Sequence, residues 1–509
     1  MLVNDFLQNS AKKFPKKEAL IFKNRRLTYQ EINKYANQLA NALIDSGIER
    51  GDRVAIYMPN SVEVVISIFA VLKAGGVFIV INHSTKTDKL KYILNNSGAK
   101  AFVCSSFVNN ILFSSKKTLP LKMVISNDTS LGKKHEIEHF TFKHVFDNYP
   151  ATQPDNQNID VDLAALIYTS GSTGLPKGVM MTHSNIISAA TSITQYLENT
   201  CDDIIINTLP LSFDYGLYQM LMAFKMGATL ILEHSFSYPF AIIDKILKEK
   251  VTGFPIVPTM AVLLLQLESL KDFDFSHLRY ISNTAAHLPS IHIKKLREIF
   301  PKTKIYCMYG LTECKRVSYL PPDQIDVRPN SVGKGMPNEE VYLVNEKGER
   351  IGAGEVGELV VRGSNVMKGY WGLPKETDEM LKPGLFPGEK ALYTGDLFKM
   401  DEEGYLYFIS RKDDIIKTKG EKVSPKEVEN VIYKMGGISE VAVIGTDDEI
   451  LGQAIKAFVV SSNGRAFSEK EIKKYCSKNL EDFMVPSMVE FRSSLPKTTS
   501  GKIKKAELS

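Results

Sequence analysis

Cysteine is scarce and unpatterned here. Five residues, Cys104, Cys201, Cys307, Cys314 and Cys476, are scattered over 509 positions without a CxxC pair or a His/Cys metal spacing. The pattern argues against a disulfide framework and a zinc module, and reduced cytosolic thiols are expected. No run of about 18 apolar residues occurs, and the opening MLVNDFLQNSAKKFP has no apolar core of a signal peptide. Neither export nor an integral membrane association is expected, and the expected location is cytoplasmic. A dominant charge is missing as well: 63 Lys and Arg against 58 Asp and Glu leave +5, too dilute for a nucleic-acid surface. No internal repeat or long low-complexity tract stands out.

What is present is bulk. Hydrophobic residues make up 44% of the chain, enough for large cores, and the length implies two or more folding units. Thr28 and Glu31 form a capping-box pattern ahead of Ile32, Tyr35, Ala36, Leu39 and Leu43 at helical spacing, so a helix starts there. Apolar runs at 53–57 and 76–81 read as buried strands between helices, the alternation of an α/β sheet fold that continues past 300. Between about 325 and 410 short strands with Gly-rich turns (358–363, 404–408) predict a β-rich subdomain. Ser424 to Glu427, with Pro425 at the first helical position, opens a small α+β unit. Strands at 440–444 and 455–460 and a helix capped by Ser468 follow. The boundary falls near Asp413, giving domains 1–412 and 413–509. The lysine clusters 12–17, 470–474 and 502–505 read as solvated surface, with Lys502 as the exception argued below.

Residues 162–183, DLAALIYTSGSTGLPKGVMMTH, carry a strand-like run, then Thr169, Ser170, Gly171, Ser172, Thr173, Gly174 and Lys177. Hydroxyls, approachable backbone N–H groups and a cation suit a polyphosphate. This is not a Walker A loop, because Pro176 precedes the lysine and Gly178 follows it. Further segments occur in order: Tyr309-Gly310-Leu311-Thr312-Glu313, Tyr393-Thr394-Gly395-Asp396, Arg411-Lys412-Asp413-Asp414 with Lys419-Gly420-Glu421, and Pro496 to Lys502. Together they resemble the motifs of the adenylate-forming superfamily, which contains acyl- and aryl-CoA synthetases, nonribosomal-peptide adenylation domains and luciferases. The resemblance covers essentially the whole chain. It implies a large N-terminal domain of α/β sheet subdomains plus a β-rich subdomain, with a small mobile α+β C-terminal domain.

The resemblance also implies roles. Thr169 and the loop through Lys177 hold the β- and γ-phosphates of ATP, Thr312 meets the α-phosphate, Glu313 helps hold Mg2+, and Tyr309 belongs to the adenine motif. Asp396 accepts the ribose hydroxyls with help from Arg411, where Ser410 replaces the commoner glycine before the arginine. Lys502 reaches the junction of carboxylate and α-phosphate. Asp413 is the hinge about which the small domain turns, and Gly420 then lines the thiol channel. The implied reaction is formation of an acyl-AMP followed by transfer to a thiol.

The acid-binding walls correspond to 209–216, 282–288 and 308–314, naming Phe213, Asp214, Thr284, Ala285 and Gly310. Amino-acid-activating relatives carry Phe-Asp, the aspartate pairing the substrate ammonium. Asp214 therefore reads either as a group facing a cationic or strongly hydrogen-bonding substrate or as a helix N-cap or loop residue. Lys315-Arg316 match neither the fatty/aryl nor the amino-acid subgroup; Arg316 reads equally as facing an acidic group or as surface. With no room after the lysine motif for a fused carrier, the thiol is expected to be CoA or the phosphopantetheine of a separate acyl or peptidyl carrier protein. Three other readings stay open: a standalone amino-acid adenylation enzyme loading such a carrier, a non-catalytic ATP- or AMP-binding pseudoenzyme, and a luciferase-type monooxygenase that shares the adenylation machinery.

Overall fold

The structure, a computed structural model, describes residues 1–105, 121–127, 137–155, 157–170, 175–418, 421–448, 451–462, 467–498 and 501–508. The alternation of apolar strands with helices builds two large sheets. One has seven strands, with 53–57 and 77–81 at its centre, parallel throughout except where Leu163–Ser170 turns back antiparallel into Pro176–Thr182. The other has nine, and its middle strands (304–309, 280–283, 253–256, 204–207, 229–232 and 18–22) are all parallel. Near-continuous apolar runs such as Val77–Ile81 are buried on both faces, as parallel strands covered by helices must be. The helix expected after Thr28 runs Tyr29–Asp45 with a complete capping box.

The expected β-rich region is a five-stranded antiparallel sheet. Glu339–Val344, Val356–Gly363 and Lys390–Met400 run side by side, and Leu406–Arg411 closes on Lys390–Met400. The last of these strands ends at Arg411. The next strand in sequence, Ile416–Thr418, belongs to a fourth sheet with its own core of Ile416, Val428, Ile432, Val443 and Ile472 among others. The chain is thus a mixed α/β protein with a large N-terminal domain of sheets and a small C-terminal domain.

Three sequence expectations need correction in detail. Ser424 accepts a hydrogen bond from the Glu427 amide, but Glu427 returns none to the Ser424 amide, so only half of that capping box forms; the Ser468 box is complete. Lys17 is not free surface: its ammonium donates to the carbonyls of Cys201 and Gly227, tying the N-terminal segment to the sheet edge. Lys505 lies 2.9 Å from the buried Glu429, which Lys426 also faces at 3.6 Å, so it satisfies a carboxylate inside the small domain.

Candidate active site

The carboxyl ends of parallel strands are where open α/β sheets place ligands, because the loops leaving them splay apart. In the nine-stranded sheet, strand 204–207 leads to Phe213 and Asp214, strand 253–256 to Thr259, strand 280–283 to Thr284 and Ala285, and strand 304–309 to the Gly310–Arg316 turn. All four loops therefore leave one edge. Packing draws them together. The Tyr215 hydroxyl donates to the Ser282 carbonyl at 2.7 Å, and a Cβ on Gly310 would stand 2.5 Å from the Lys315 carbonyl oxygen. Only glycine admits that approach.

Asp396 sits at the junction with the β-rich sheet. Tyr309 donates its hydroxyl to Asp396 Oδ2 at 2.5 Å. Arg411, directly across the ladder, brings Nε to 3.2 Å from Oδ1. Burial raises the Asp396 carboxyl above its usual range, opposed by Arg411, Tyr309 and Lys502. Lys502, of the small domain, is thus among the charges that act on Asp396. Its loop is closed by the Thr498 amide donating to the Lys502 carbonyl at 2.7 Å and by an antiparallel bridge between Lys497 and Ile503. Gly501, at φ 81°, lies against Thr259 of the large domain, and a Cβ there would meet Thr259 Oγ1 at 3.1 Å. The Lys502 side chain itself is exposed.

Thr169 pairs with Lys177 across the Leu163–Ser170 and Pro176–Thr182 hairpin. Gly171, Ser172, Thr173 and Gly174, and likewise Gly420, lie outside the described residues. Lys177 is half-buried, its ammonium 5.3 Å from the centre of the Tyr370 ring. The Tyr370 hydroxyl donates to Glu313 Oε1 at 2.7 Å. This line of contact joins the phosphate hairpin to the Tyr309–Glu313 segment, and sequence reasoning missed it. Residues 367–371 carry it: the Met367 amide donates to the Glu313 carbonyl, and Lys368 and Trp371 donate to backbone carbonyls of the Pro176–Thr182 strand. The signal was available in Gly369-Tyr370-Trp371, which holds the one tryptophan in the chain.

Glu313 fits a magnesium site. It is half-buried, one carboxylate oxygen is held by Tyr370, and among the described residues no hydrogen bond reaches the other. Among those residues no group of three or more His, Cys, Asp or Glu could hold a metal alone. Magnesium needs only one or two carboxylates when phosphate oxygens complete its shell. Thr312 is half-buried beside Glu313. Asp413 lies in the short 3-10 turn Lys412–Asp414 between the third and fourth sheets.

The acid side departs from expectation. Asp214 is not the cap of its helix: Phe213 holds that position without a side-chain hydrogen bond, and Asp214 opens the first turn of Asp214–Met226. Arg316 is not surface either. It is 4% exposed, with its guanidinium 5.0 Å from the centre of the Tyr215 ring. Lys315 is buried at φ 72°, and its ammonium lies 3.9 Å from Asp214 Oδ2.

A family model described as AMP-binding enzyme matches residues 7–371, and one described as AMP-binding enzyme C-terminal domain matches 427–502. The chain belongs to the AMP-binding enzyme family. It is an AMP-forming ligase of the adenylate-forming superfamily that its motifs resemble. It is 32% identical to a long-chain-fatty-acid–CoA ligase of Bacillus subtilis (strain 168), over 99% of this chain and 94% of that protein. It is 30% identical to tyrocidine synthase 1 of Brevibacillus parabrevis, over 99% of this chain and 44% of that one. Among solved structures, an anthranilate CoA ligase in complex with anthranoyl-AMP superposes with a TM-score of 0.90 at 27% identity, covering 100% of this chain and 96% of that one. Among the described residues no helix is long and apolar enough to cross a membrane.

Proposed function

We propose that this ligase joins a small carboxylic acid to a thiol in two steps at one site, using ATP and Mg2+. In the first step a carboxylate oxygen attacks the α-phosphorus of ATP, and the bond to the β-phosphate oxygen breaks, giving acyl-AMP and pyrophosphate. In the second step the sulfur of CoA, or of a carrier protein's phosphopantetheine, attacks the acyl carbon. AMP leaves and the thiol proton passes to solvent.

The observation that carries this reading is the Asp396 cluster with Tyr309 and Arg411, together with Gly501, next to Lys502 in the small domain, lying against Thr259 of the large one. A carboxylate attacking a polyanion needs its charge offset and both reactants held in line. In this reading Lys177 offsets the charge of the outer phosphates, and Lys502 the negative charge that develops between carboxylate and α-phosphate. Asp396 is an acceptor suited to ribose hydroxyls. Magnesium bound at Glu313 would neutralise phosphate charge during the first step. Glu313, Asp396, Arg411 and Lys502 are all present, which weighs against a pseudoenzyme.

The domains meet near Asp413. Rotation there would withdraw Lys502 and open a thiol path along the segment containing Gly420. A second reading, activation of an amino acid for a separate carrier protein, draws support from Phe213-Asp214 and from the likeness to tyrocidine synthase 1. The buried Lys315 beside Asp214 counts against it.

The test is hydroxylamine trapping with MgATP across fatty, aryl, hydroxy and amino acids, followed by addition of CoA to acids that react. Hydroxamate with stoichiometric AMP and pyrophosphate is expected. ADP and phosphate as products would sink the reading.

A further inference from the structure

The adenylation chemistry leaves one buried polar pair at the sheet edge unused. Lys315 follows Glu313 by two residues and is held in a left-handed conformation at φ 72°. Its side chain is 2% exposed and its ammonium makes no hydrogen bond among the described residues. Asp214 Oδ2 is 3.9 Å away, outside direct hydrogen-bond reach, and its side chain is 13% exposed. Tyr218, one helical turn beyond Asp214, sets its ring centre 5.4 Å from the Lys315 ammonium, and its hydroxyl is buried without a partner among the described residues.

A loose buried ion pair leaves both groups short of hydrogen bonds, so its desolvation is poorly offset. One atom about 2.8 Å from both Nζ and Oδ2 would bridge the gap at an angle of roughly 90°, within the range a hydroxyl oxygen accommodates. The chemistry of that atom is constrained. An ammonium donates to Asp214 but repels Lys315. A second carboxylate does the converse, and a methyl group satisfies neither. A neutral hydroxyl accepts from the lysine and donates to the aspartate.

We propose that Asp214 and Lys315 clamp a hydroxyl on the acid substrate close to its reacting carboxylate, so that the enzyme selects hydroxylated carboxylic acids over amino and unsubstituted analogues. This rests on the acid binding on the Asp214 side of the site described above. Lys315 is then a specificity-determining residue whose proximity to Glu313 sets the hydroxyl near the carboxylate.

The experiment measures acid-dependent ATP–pyrophosphate exchange by the full chain on matched three- to six-carbon acids: unsubstituted, 2-hydroxy, 3-hydroxy and 2-amino, with a long-chain fatty acid alongside. In the wild type at pH 7 a hydroxy member should exceed its unsubstituted and amino counterparts in kcat/KM by at least about 10-fold. Lys315→Met should cut the hydroxy-to-amino ratio by a similar factor, and Lys315→Gln should retain more of it. Wild-type preference for an amino, unsubstituted or fatty acid overturns the clamp while leaving the ligase reading intact. So does an unchanged ratio in a Lys315→Met protein of native melting temperature. If ATP binds but no acid supports exchange, the ligase reading falls and the clamp with it.

Discussion

Asp396, the proposed ribose acceptor, is held against its own preference. Burial favours its neutral form over the Arg411 and Tyr309 contacts that favour the carboxylate, and the balance raises its pKa. A carboxyl raised in the folded state contributes stability below its unfolded value, and that contribution is lost as pH rises through the folded value. Ionised Asp396 at neutral pH therefore costs stability. Asp396→Asn should raise the melting temperature of the free protein while raising KM for ATP by about 10-fold or more, as expected for a lost charged acceptor. With wild type, kcat/KM for ATP should fall as acid protonates this group, at a higher pH than an ordinary aspartate would set. Lys502 tests the opposite kind of residue, exposed and poised. Lys502→Ala should slow acyl-AMP formation on the order of 100- to 1000-fold, as for a lost transition-state donor, and spare thioester formation from synthetic acyl-AMP. Equal losses in both half-reactions would remove it from the adenylation step.

Elements explain which parts of the site were legible in the sequence. Strands such as Arg53–Tyr57 and Val77–Ile81 stand out as short apolar runs between helices, because a strand buried on both faces has no polar side to show. The edge strand Arg25–Thr28 is mostly exposed and polar, and no periodicity marks it. The candidate site was legible where chemistry demands fixed residue types in short segments, as in Tyr309–Glu313. It was illegible where long-range packing decides. From the sequence Arg316 reads equally as surface or as facing an acidic group, and only the fold shows that Lys315 and Arg316 turn inward. The Gly369-Tyr370-Trp371 segment stands out in the sequence, but only the fold shows that its Tyr370 joins Lys177 to Glu313. Gly310 is the element-level support for this arrangement. Gly310→Ala would push a Cβ to 2.5 Å from the Lys315 carbonyl and 2.8 Å from the Arg316 Cα, so the turn must move. Acid activation should fall by about 10-fold or more, with nucleotide affinity, measured by calorimetry, less affected.

At the scale of the whole molecule the question is how one site serves two reactions. The Lys502 loop rests against Thr259, and His292 of the large domain packs edge-on against Tyr433 of the small one, with ring centres 6.2 Å apart. Burial, with the nearby Lys295 adding to it, lowers the His292 imidazole to about 4, so this contact is built for a neutral ring. In the proposed mechanism this arrangement serves the first half-reaction, and the second requires it to open. Asp413→Pro fixes φ within the turn that joins the two domains. Pyrophosphate exchange should persist in this variant while thioester formation drops by about 10-fold or more; an unimpaired overall rate would rule out rotation at this joint. The central claim is more direct still: a carboxylic acid is activated on AMP before any thiol arrives. Isotope exchange between pyrophosphate and ATP, measured without thiol, reads that step alone. Exchange that depends strictly on an added acid and on Mg2+ is the predicted result, and ATP bound without acid-dependent exchange for any acid of the fatty, aryl, hydroxy and amino classes would contradict it.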